Sequence, residues 1–243
     1  MINNKKILGI IGGLGPAATT QFMNLIIEMT DAASDQEHMD MIVFNAPSIP
    51  DRTGYILDST KPCPQEPMND YGIRLATAGA DYLAIPCMTA HYFYEGVEKH
   101  AGIPVIHAIR ETALELQRAG ITKVGLMATD GTVRTRLFHD IFADHGIDVL
   151  TPSQQEQENV MHIVYDNVKA GLPADANRFH SASQELFANG AQRVILGCTE
   201  LPLVKHQFDI GPNFVDPMEI LARKAILLCG GKLKEAYRDL ISK

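Results

Sequence analysis

The sequence predicts an α/β protein made of two similar lobes with mostly parallel sheets, related by a pseudo-two-fold repeat. Strand-like and helix-like runs alternate along the 243 residues, which is typical of a parallel sheet with helices on both faces. A repeated unit supports the same fold. Residues 79–89 and 190–199 each run from Gly-Ala through an apolar stretch to a Cys that a Thr follows closely.

The repeat extends to a second pair of segments. Residues 6–15 align with 123–131, because each is an apolar run that enters a turn of small residues and then a helix. We therefore expect one lobe formed by 1–108 and 213–243 and another formed by 109–212. The functional site is expected in the cleft between the lobes.

The predicted strands are short apolar runs, and the predicted helices are the longer stretches between them. The strands are 7–11, 41–44, 82–85, 105–106, 124–127, 148–150, 194–196 and 214–215. The helices are 17–32, 68–78, 92–100, 109–119, 132–144, 154–170, 177–189 and 218–229.

Composition narrows the possible partners and compartments. The net charge is -8 with a pI of about 5.5, and no basic stripe is visible, so we expect no nucleic acid partner. No apolar run is long enough to cross a membrane, and the run at 7–11 is too short for a signal peptide. We expect a cytoplasmic protein that binds no membrane.

The chain has four cysteines, and no two have the C-x-x-C spacing of a zinc or redox site. We expect no metal, and no structural disulfide in a reducing cytoplasm. Cys63 lies in a proline-rich loop, and Cys229 ends an apolar helix. These two are interpreted as a loop thiol and a packing thiol.

Cys87 and Cys198 end the two repeated units. Each follows a predicted strand at its carboxyl end, where open α/β sheets place their ligands. A helix start after each cysteine would lower the pKa of its thiol, so that one thiolate could remove a proton and the other thiol could return one. The alternative is that both are core thiols.

The glycine-rich turn at 12–16 partly fits a dinucleotide fingerprint through Gly13, Gly15 and Ala18. That interpretation also needs an acidic residue at the end of the second strand, where the chain has Asn45-Ala46-Pro47 instead. We favour a tight turn at which a small ligand approaches backbone N–H groups near Gly13.

Arg52, Lys169 and Glu200 are charged candidates. Arg52 follows the second strand and can hold a carboxylate with two parallel hydrogen bonds, or can pair with Asp51 at the surface. Lys169 ends a predicted helix, where a lysine also complements the helix dipole. Glu200 either orients a group near Cys198 or occupies the first turn of a helix.

His91 lies four residues after Cys87 and raises the possibility of a Cys–His nucleophile. The nucleophile elbow Gly-x-Ser-x-Gly is absent from the sequence, and no histidine lies near Cys198. We interpret His91 as a polar residue at a helix start.

With these motifs the chain resembles the aspartate/glutamate racemase family, whose members need no pyridoxal phosphate. The resemblance covers almost the whole chain. It is carried by the turn GGLGP at 12–16, the loop NAPSIPDRT at 45–53, and the cysteine motifs PCMTAH at 86–91 and GCTELP at 197–202. Glu200 stands where glutamate racemases usually have His, so the chain looks most like the aspartate racemase branch.

The resemblance implies a role for each matching residue. Cys87 and Cys198 would be the two catalytic bases, and Arg52 and Lys169 would hold the two carboxylates of the substrate. Further residues would line the substrate: Thr89, Thr129 and Thr199. At Met88 the chain departs from the family, which usually has Asn there.

We therefore expect a cofactor-independent racemase of aspartate, or of glutamate, that works as a homodimer. Two alternatives stay open at this stage. One is a related isomerase or decarboxylase of a small dicarboxylic acid, similar to maleate isomerase. The other is a non-catalytic acid-binding protein on the same scaffold.

Overall fold

The computed structural model describes residues 5–241. The ends of the predicted first lobe, 1–4 and 242–243, lie outside the described residues. By its internal contacts the chain divides into two units. The first runs to Glu111 and resumes over Met218–Leu240, and the second comprises Thr112–Pro217 together with Ile241.

Within the described residues, the first unit contains three strands, four complete α-helices and the start of a fifth before its boundary at Glu111. Its strands are β1 (Leu8–Gly12), β2 (Met41–Asn45) and β3 (Tyr82–Ala84). Its helices are α1 (Pro16–Met29), α2 (Arg52–Leu57), α3 (Gln65–Thr77), α4 (Tyr94–Ala101) and the start of α5 (Ala108–Arg118).

The second unit contains four named strands. They are β4 (Lys123–Met127), β5 (Asp148–Leu150), β6 (Arg193–Leu196) and β7 (Phe214–Val215). Its helices are α6 (Asp130–Arg134), α7 (Leu137–Ala143), α8 (Gln154–His162) and α9 (Ala176–Ala188). The final helix, α10 (Pro217–Leu228), belongs almost entirely to the first unit.

The two sheets share one topology. The first has the order β2-β1-β3, and Val105 adds a parallel bridge to Leu83 at the β3 edge. The second has the order β5-β4-β6-β7, and all the strand pairs in both sheets are parallel. The predicted fold class, two similar α/β lobes with parallel sheets, is confirmed.

The repeat is visible in how α3 and α9 end. Gly79 and Gly190 have φ of +101° and +94°, a backbone conformation that L side chains rarely adopt. The next residues close the same turn, since the Ala80 N–H donates to the Leu75 carbonyl and the Ala191 N–H donates to the Leu186 carbonyl, each at 3.1 Å. This glycine-dependent helix end directs the chain into β3 in one unit and β6 in the other.

Each unit has its own apolar core between sheet and helices. In the first unit Leu75 of α3 and Leu83 of β3 are fully buried in one cluster. In the second, Phe179 and Leu186 of α9 pack with Val194 of β6. Burying a side chain of this size stabilises the fold by roughly 1.5–3 kcal/mol, so these clusters anchor the sheets that carry the site.

Three predicted helices differ from the structure. The helix expected over 132–144 is broken into α6 and α7, because Arg136 between them has a left-handed φ of 55°. The Thr135 hydroxyl donates to the Thr132 carbonyl at 3.0 Å, a local bond that competes with helix continuation. The helix expected over 92–100 is preceded by a 3₁₀ segment, Met88–Phe93.

The helix expected over 154–170 also changes type. It is α-helical only to His162 and continues as a π-helix over Ile163–Val168. The predicted strand 105–106 reduces to the single bridge at Val105, since α5 begins at Ala108. The sequence did not reveal the short helix α2, in which Arg52 is the first residue.

Among the residues that the structure describes, no helix is both long enough and apolar enough to cross a membrane.

Candidate functional site

Cys87 lies three residues beyond the end of β3. It is buried and directly precedes the 3₁₀ segment Met88–Phe93. Its backbone N–H donates to the Ile85 carbonyl at 2.8 Å, and its own carbonyl accepts from the Ala90 N–H at 3.1 Å. These bonds hold the thiol at the carboxyl edge of the first sheet, as predicted from the apolar run.

His91 does not form a pair with Cys87. Its ring is fully buried, Nε2 lies 3.2 Å from the Ile85 carbonyl, and Nδ1 is buried without a hydrogen-bond partner in the described part of the chain. Its ring centroid lies 4.7 Å from that of His107. Burial holds the pKa of His91 well below its usual value, and the neighbouring His107 lowers it further. His91 is therefore a neutral packing residue that bonds the same carbonyl as Cys87.

Arg52 opens α2 and lies against the glycine-rich turn. Its Nη1 donates to the Pro50 carbonyl at 3.1 Å, and its Nη2 donates to the Leu14 carbonyl at 3.3 Å. Asp51 is not its partner, because the Asp51 carboxylate caps α2 by accepting from the Gly54 N–H at 2.8 Å. Within residues 5–241, no carboxylate lies at ion-pair distance from Arg52, and its Nε is buried without a partner. This half-buried cation can still receive an anion.

The glycine-rich turn reaches the loop after β2. Gly13 has φ of +89°, and a Cβ there would lie 2.3 Å from the Ala46 nitrogen. Its N–H donates to the Thr19 hydroxyl at 2.8 Å. The structure thus differs from the expectation of a Gly13 N–H free for a ligand, because the Thr19 side chain of α1 already bonds it. A ligand contact at Gly13 stays a prediction.

Residues from the ends of the first three strands converge in the first unit. Leu14 of the turn, Ile49 of the loop after β2, and Cys87 belong to one buried hydrophobic cluster. Arg52 contacts the backbone of two of them, Leu14 and Ile49. The carboxyl edge of this sheet therefore brings one thiol and one cation to the same region.

The second unit brings four predicted residues into direct contact. Cys198 lies two residues beyond β6, and its Sγ donates to Oε2 of Glu200 at 2.7 Å. The Thr199 hydroxyl donates to the same oxygen at 3.1 Å. Nζ of Lys169 lies 3.9 Å from the other carboxylate oxygen of Glu200. We call Cys198, Thr199, Glu200 and Lys169 the Cys198 cluster.

The pKa of the Cys198 thiol is shifted in the direction opposite to the one predicted. Burial raises its pKa well above the usual value, and the charge of Glu200 and its hydrogen bond raise the pKa further. The Glu200 backbone N–H and Lys169 act in the opposite direction but more weakly. The expected lowering at a helix start is therefore wrong for Cys198, because burial and the neighbouring carboxylate outweigh the backbone N–H of Glu200.

The π-helix places Lys169. The Lys169 N–H bonds back five residues to the Val164 carbonyl at 3.0 Å, and Nζ lies 4.2 Å from the centroid of the Tyr165 ring. A π-helix changes the angular position of every residue after it, and such segments are frequent at functional sites. Lys169 is part of the Cys198 cluster because of this local change.

The remaining predicted contacts lie near the same strand ends. Thr129 lies two residues beyond the end of β4, is buried, and has its Oγ1 3.3 Å from Oγ1 of Thr132. Thr89 is half-buried in the 3₁₀ segment after Cys87. Met88 is only 3% exposed, so its apolar side chain is packed inside the protein.

The other two cysteines fit their interpretations. Cys63 is exposed and Cys229 is buried, and all four cysteines are free thiols. Burial raises the pKa of Cys229 to about 11, which suits a packing thiol. Within the described part of the chain, no group of three or more His, Cys, Asp or Glu side chains could hold a metal ion.

Sequence reasoning missed some participants. No sequence signal marked Thr19 as the partner of Gly13 or His107 as the partner of His91. The sequence also did not predict a cavity of about 770 Å³ in the second unit, whose lining includes Asp130 and Tyr165. Asp130 follows Thr129 and Tyr165 contacts Lys169, so the cavity adjoins residues of the candidate site.

Comparison with known proteins agrees with this architecture. The model of the family described as Asp/Glu/Hydantoin racemase matches residues 11–225. The broad specificity amino-acid racemase RacX of Bacillus subtilis (strain 168) is 22% identical over 227 residues, which cover 90% of this chain and 96% of RacX.

Solved structures show the same similarity. The aspartate racemase of Picrophilus torridus has a TM-score of 0.81 at 28% identity and covers 97% of this chain and 99% of its own. An aspartate racemase homologue from Pyrococcus horikoshii has a TM-score of 0.77 at 26% identity, and the match covers 93% of this chain and 99% of the homologue.

Proposed function

Because the chain belongs to the Asp/Glu/hydantoin racemase family, we propose that it is an amino-acid racemase that interconverts L- and D-aspartate without a cofactor. One observation carries the proposal. Each unit places a free thiol just beyond the strand that follows its glycine-ended helix, Cys87 after β3 and Cys198 after β6. A racemase that uses two bases needs two such groups.

In the proposed reaction the cysteines act on opposite faces of one substrate. A thiolate removes the α-proton, and the opposite thiol donates a proton to the other face of the carbanion. Without a cofactor as electron sink, the barrier falls through electrostatic stabilisation of the carbanion in a water-poor site. Arg52 and Lys169 are assigned to the two carboxylates, since Arg52 has no acidic partner among the described residues and keeps a buried donor unused.

Other residues are assigned to the surroundings of the substrate. Glu200 supports the Cys198 thiol through the hydrogen bond between them. The proposed lining residues are Gly13, Met88, Thr89, Thr129 and Thr199.

A broader substrate range is a second candidate, and Met88 favours it. The family usually has an amide where this chain has a buried apolar side chain, and a relative that spans 90% of the chain is described as a broad specificity racemase. An apolar side chain cannot hydrogen-bond a polar substrate group. Substrates with an apolar side chain are therefore the alternative to aspartate.

The experiment is incubation of the purified protein with L-aspartate in D₂O, without added cofactor. NMR measures deuterium at the α-carbon, and chiral chromatography measures D-aspartate. We expect both signals to grow together. A panel of other L-amino acids tests the broader range, and maleate tests the related isomerase activity. Tight aspartate binding without any exchange would instead identify an acid-binding protein.

We also propose that the protein is a cytoplasmic homodimer. Four free thiols fit a reducing compartment, in which disulfides are rare. Light scattering coupled to size-exclusion chromatography measures the molar mass directly. A mass of a single 26.7 kDa chain would contradict the dimer.

A further inference from the structure

The two cysteines have different polar surroundings. The Cys198 thiol donates a hydrogen bond to Glu200 Oε2, and the Thr199 hydroxyl donates one to the same oxygen. Cys87 makes its hydrogen bonds through its backbone, and among residues 5–241 no carboxylate bonds its thiol. A thiol that donates a hydrogen bond carries its proton, so the structure distinguishes the two groups chemically.

We propose that Glu200 is a positioning residue that keeps Cys198 in its thiol form until a substrate binds. The inference rests on the proposed function and deepens it, because it assigns the order of the two bases. Cys198 is the first proton donor of the unliganded protein, and Cys87 is the first base.

The physical reason is repulsion between two like charges at hydrogen-bond distance. Loss of the Cys198 proton would place a thiolate 2.7 Å from a carboxylate oxygen that is part of a side chain only 16% exposed. Lys169, at the end of the π-helix, offsets this only partly, since its Nζ is 3.9 Å from the other oxygen and its side chain is 41% exposed. Thr199 contributes a neutral donor to the carboxylate. Burial and Glu200 together raise the pKa of Cys198, in agreement with this geometry.

The proton balance follows from this order. The Cα–H bond of the substrate breaks as an S–H bond forms at Cys87. The S–H bond at Cys198 breaks as a new Cα–H bond forms on the opposite face. The Cys198 thiolate then lies beside Glu200, and the resting state returns when the proton on Cys87 is released and Cys198 takes one from solvent.

The test is the pH dependence of alkylation by iodoacetamide, which needs no racemase activity. The thiolate sulfur attacks the CH₂ carbon and iodide leaves, so the rate follows the thiolate fraction. Mass spectrometry of the Cys198 peptide separates this rate from those at Cys63, Cys87 and Cys229. In the wild-type protein we expect the curve of the Cys198 alkylation rate against pH to have its inflection well above about pH 8.5. About 8.5 is the pKa of an unperturbed thiol.

Glu200→Gln removes the negative charge and keeps the shape. We expect this variant to raise the rate of Cys198 alkylation at pH 8 at least about tenfold, which corresponds to lowering the pKa of the thiol by about one unit. The inflection of the rate–pH curve should move to lower pH. Glu200→Asp retains the charge and should keep the inflection high. Glu158→Gln, an exposed glutamate of α8 in the same unit, is the matched control and should leave it unchanged.

Two outcomes would overturn the assignment. One is a wild-type inflection at or below about 8.5, which needs no variant to fold. The other is an unchanged inflection in a folded Glu200→Gln protein. If the inflection shifts as expected but L-aspartate and the amino-acid panel show no exchange, the thiol assignment stands and the proposed racemase function fails.

Discussion

Nη2 of Arg52 donates a hydrogen bond to the backbone carbonyl of Leu14 at 3.3 Å, so the cation that begins α2 contacts the turn that follows β1. Arg52→Lys would keep the charge and lose the planar fork. We expect kcat/KM for aspartate to fall by a factor that corresponds to a loss of about 2–4 kcal/mol in transition-state binding.

Steady-state kinetics checks this, with Arg118→Lys on the exposed end of α5 as the control. Unchanged kinetics in Arg52→Lys would assign the guanidinium to holding the turn and loop together, not to the substrate.

The cysteine pair gives a second prediction. Cys87→Ser or Cys198→Ser replaces a thiol with a much weaker acid at the same position, so each should lower kcat by roughly 10²-fold or more. Cys63→Ser, at the exposed loop thiol, should leave kcat unchanged. Chiral chromatography measures all three. A near wild-type rate in either of the first two variants would contradict the two-base mechanism.

Met88 gives a third prediction. Met88→Asn restores the amide that the family usually has, and aspartate turnover should rise about tenfold if one hydrogen bond of ~1.4 kcal/mol is gained in the transition state. Because Met88 is 3% exposed, burying an amide there should also lower the thermal midpoint.

The opposite kinetic result would be informative. If Met88→Asn lowers aspartate turnover, Met88 is adapted to a substrate with an apolar group. The panel of D- and L-amino acids, measured on both proteins, distinguishes the two cases.

The buried histidines predict loss of stability in acid. Burial lowers the pKa of His107 to about 4, with Arg110 contributing, and lowers that of His91 as well. Below their unfolded pKa of about 6.5, the unfolded chain binds protons that the folded chain does not. Stability is therefore fully present above about pH 6.5 and decreases as the pH falls toward 4, by up to ~1.4 kcal/mol per pH unit for each histidine.

Thermal midpoints measured from pH 7.5 to 4.5 check this dependence. His107→Gln should flatten it, whereas His100→Gln, at an exposed position of α4, should not. An equally steep pH dependence in His107→Gln would show that other groups cause the loss of stability in acid.

Local pattern determined much of the fold from the sequence alone. The strands at β1, β4 and β6 begin within one residue of their predicted starts, because buried parallel strands appear as short, nearly continuous apolar runs. The Gly-Ala repeat predicted that Cys87 and Cys198 occupy matching positions, because a strand and the helix end before it are both encoded by neighbouring residues. The family resemblance, which the match over 11–225 confirms, also rests on short local motifs.

Tertiary structure decided what each of these residues contacts. The sequence placed Glu200 near Cys198, but only the folded chain shows its carboxylate accepting a hydrogen bond from the thiol. Lys169 reaches that carboxylate because the helix before it becomes π-helical, and the Gly13 N–H is bonded by a side chain from the next helix. Side-chain direction and long-range pairing depend on packing between elements, which a one-dimensional pattern does not encode. The sequence by itself therefore determined the scaffold and the candidate site residues, whereas packing decided the hydrogen-bond partners of those residues.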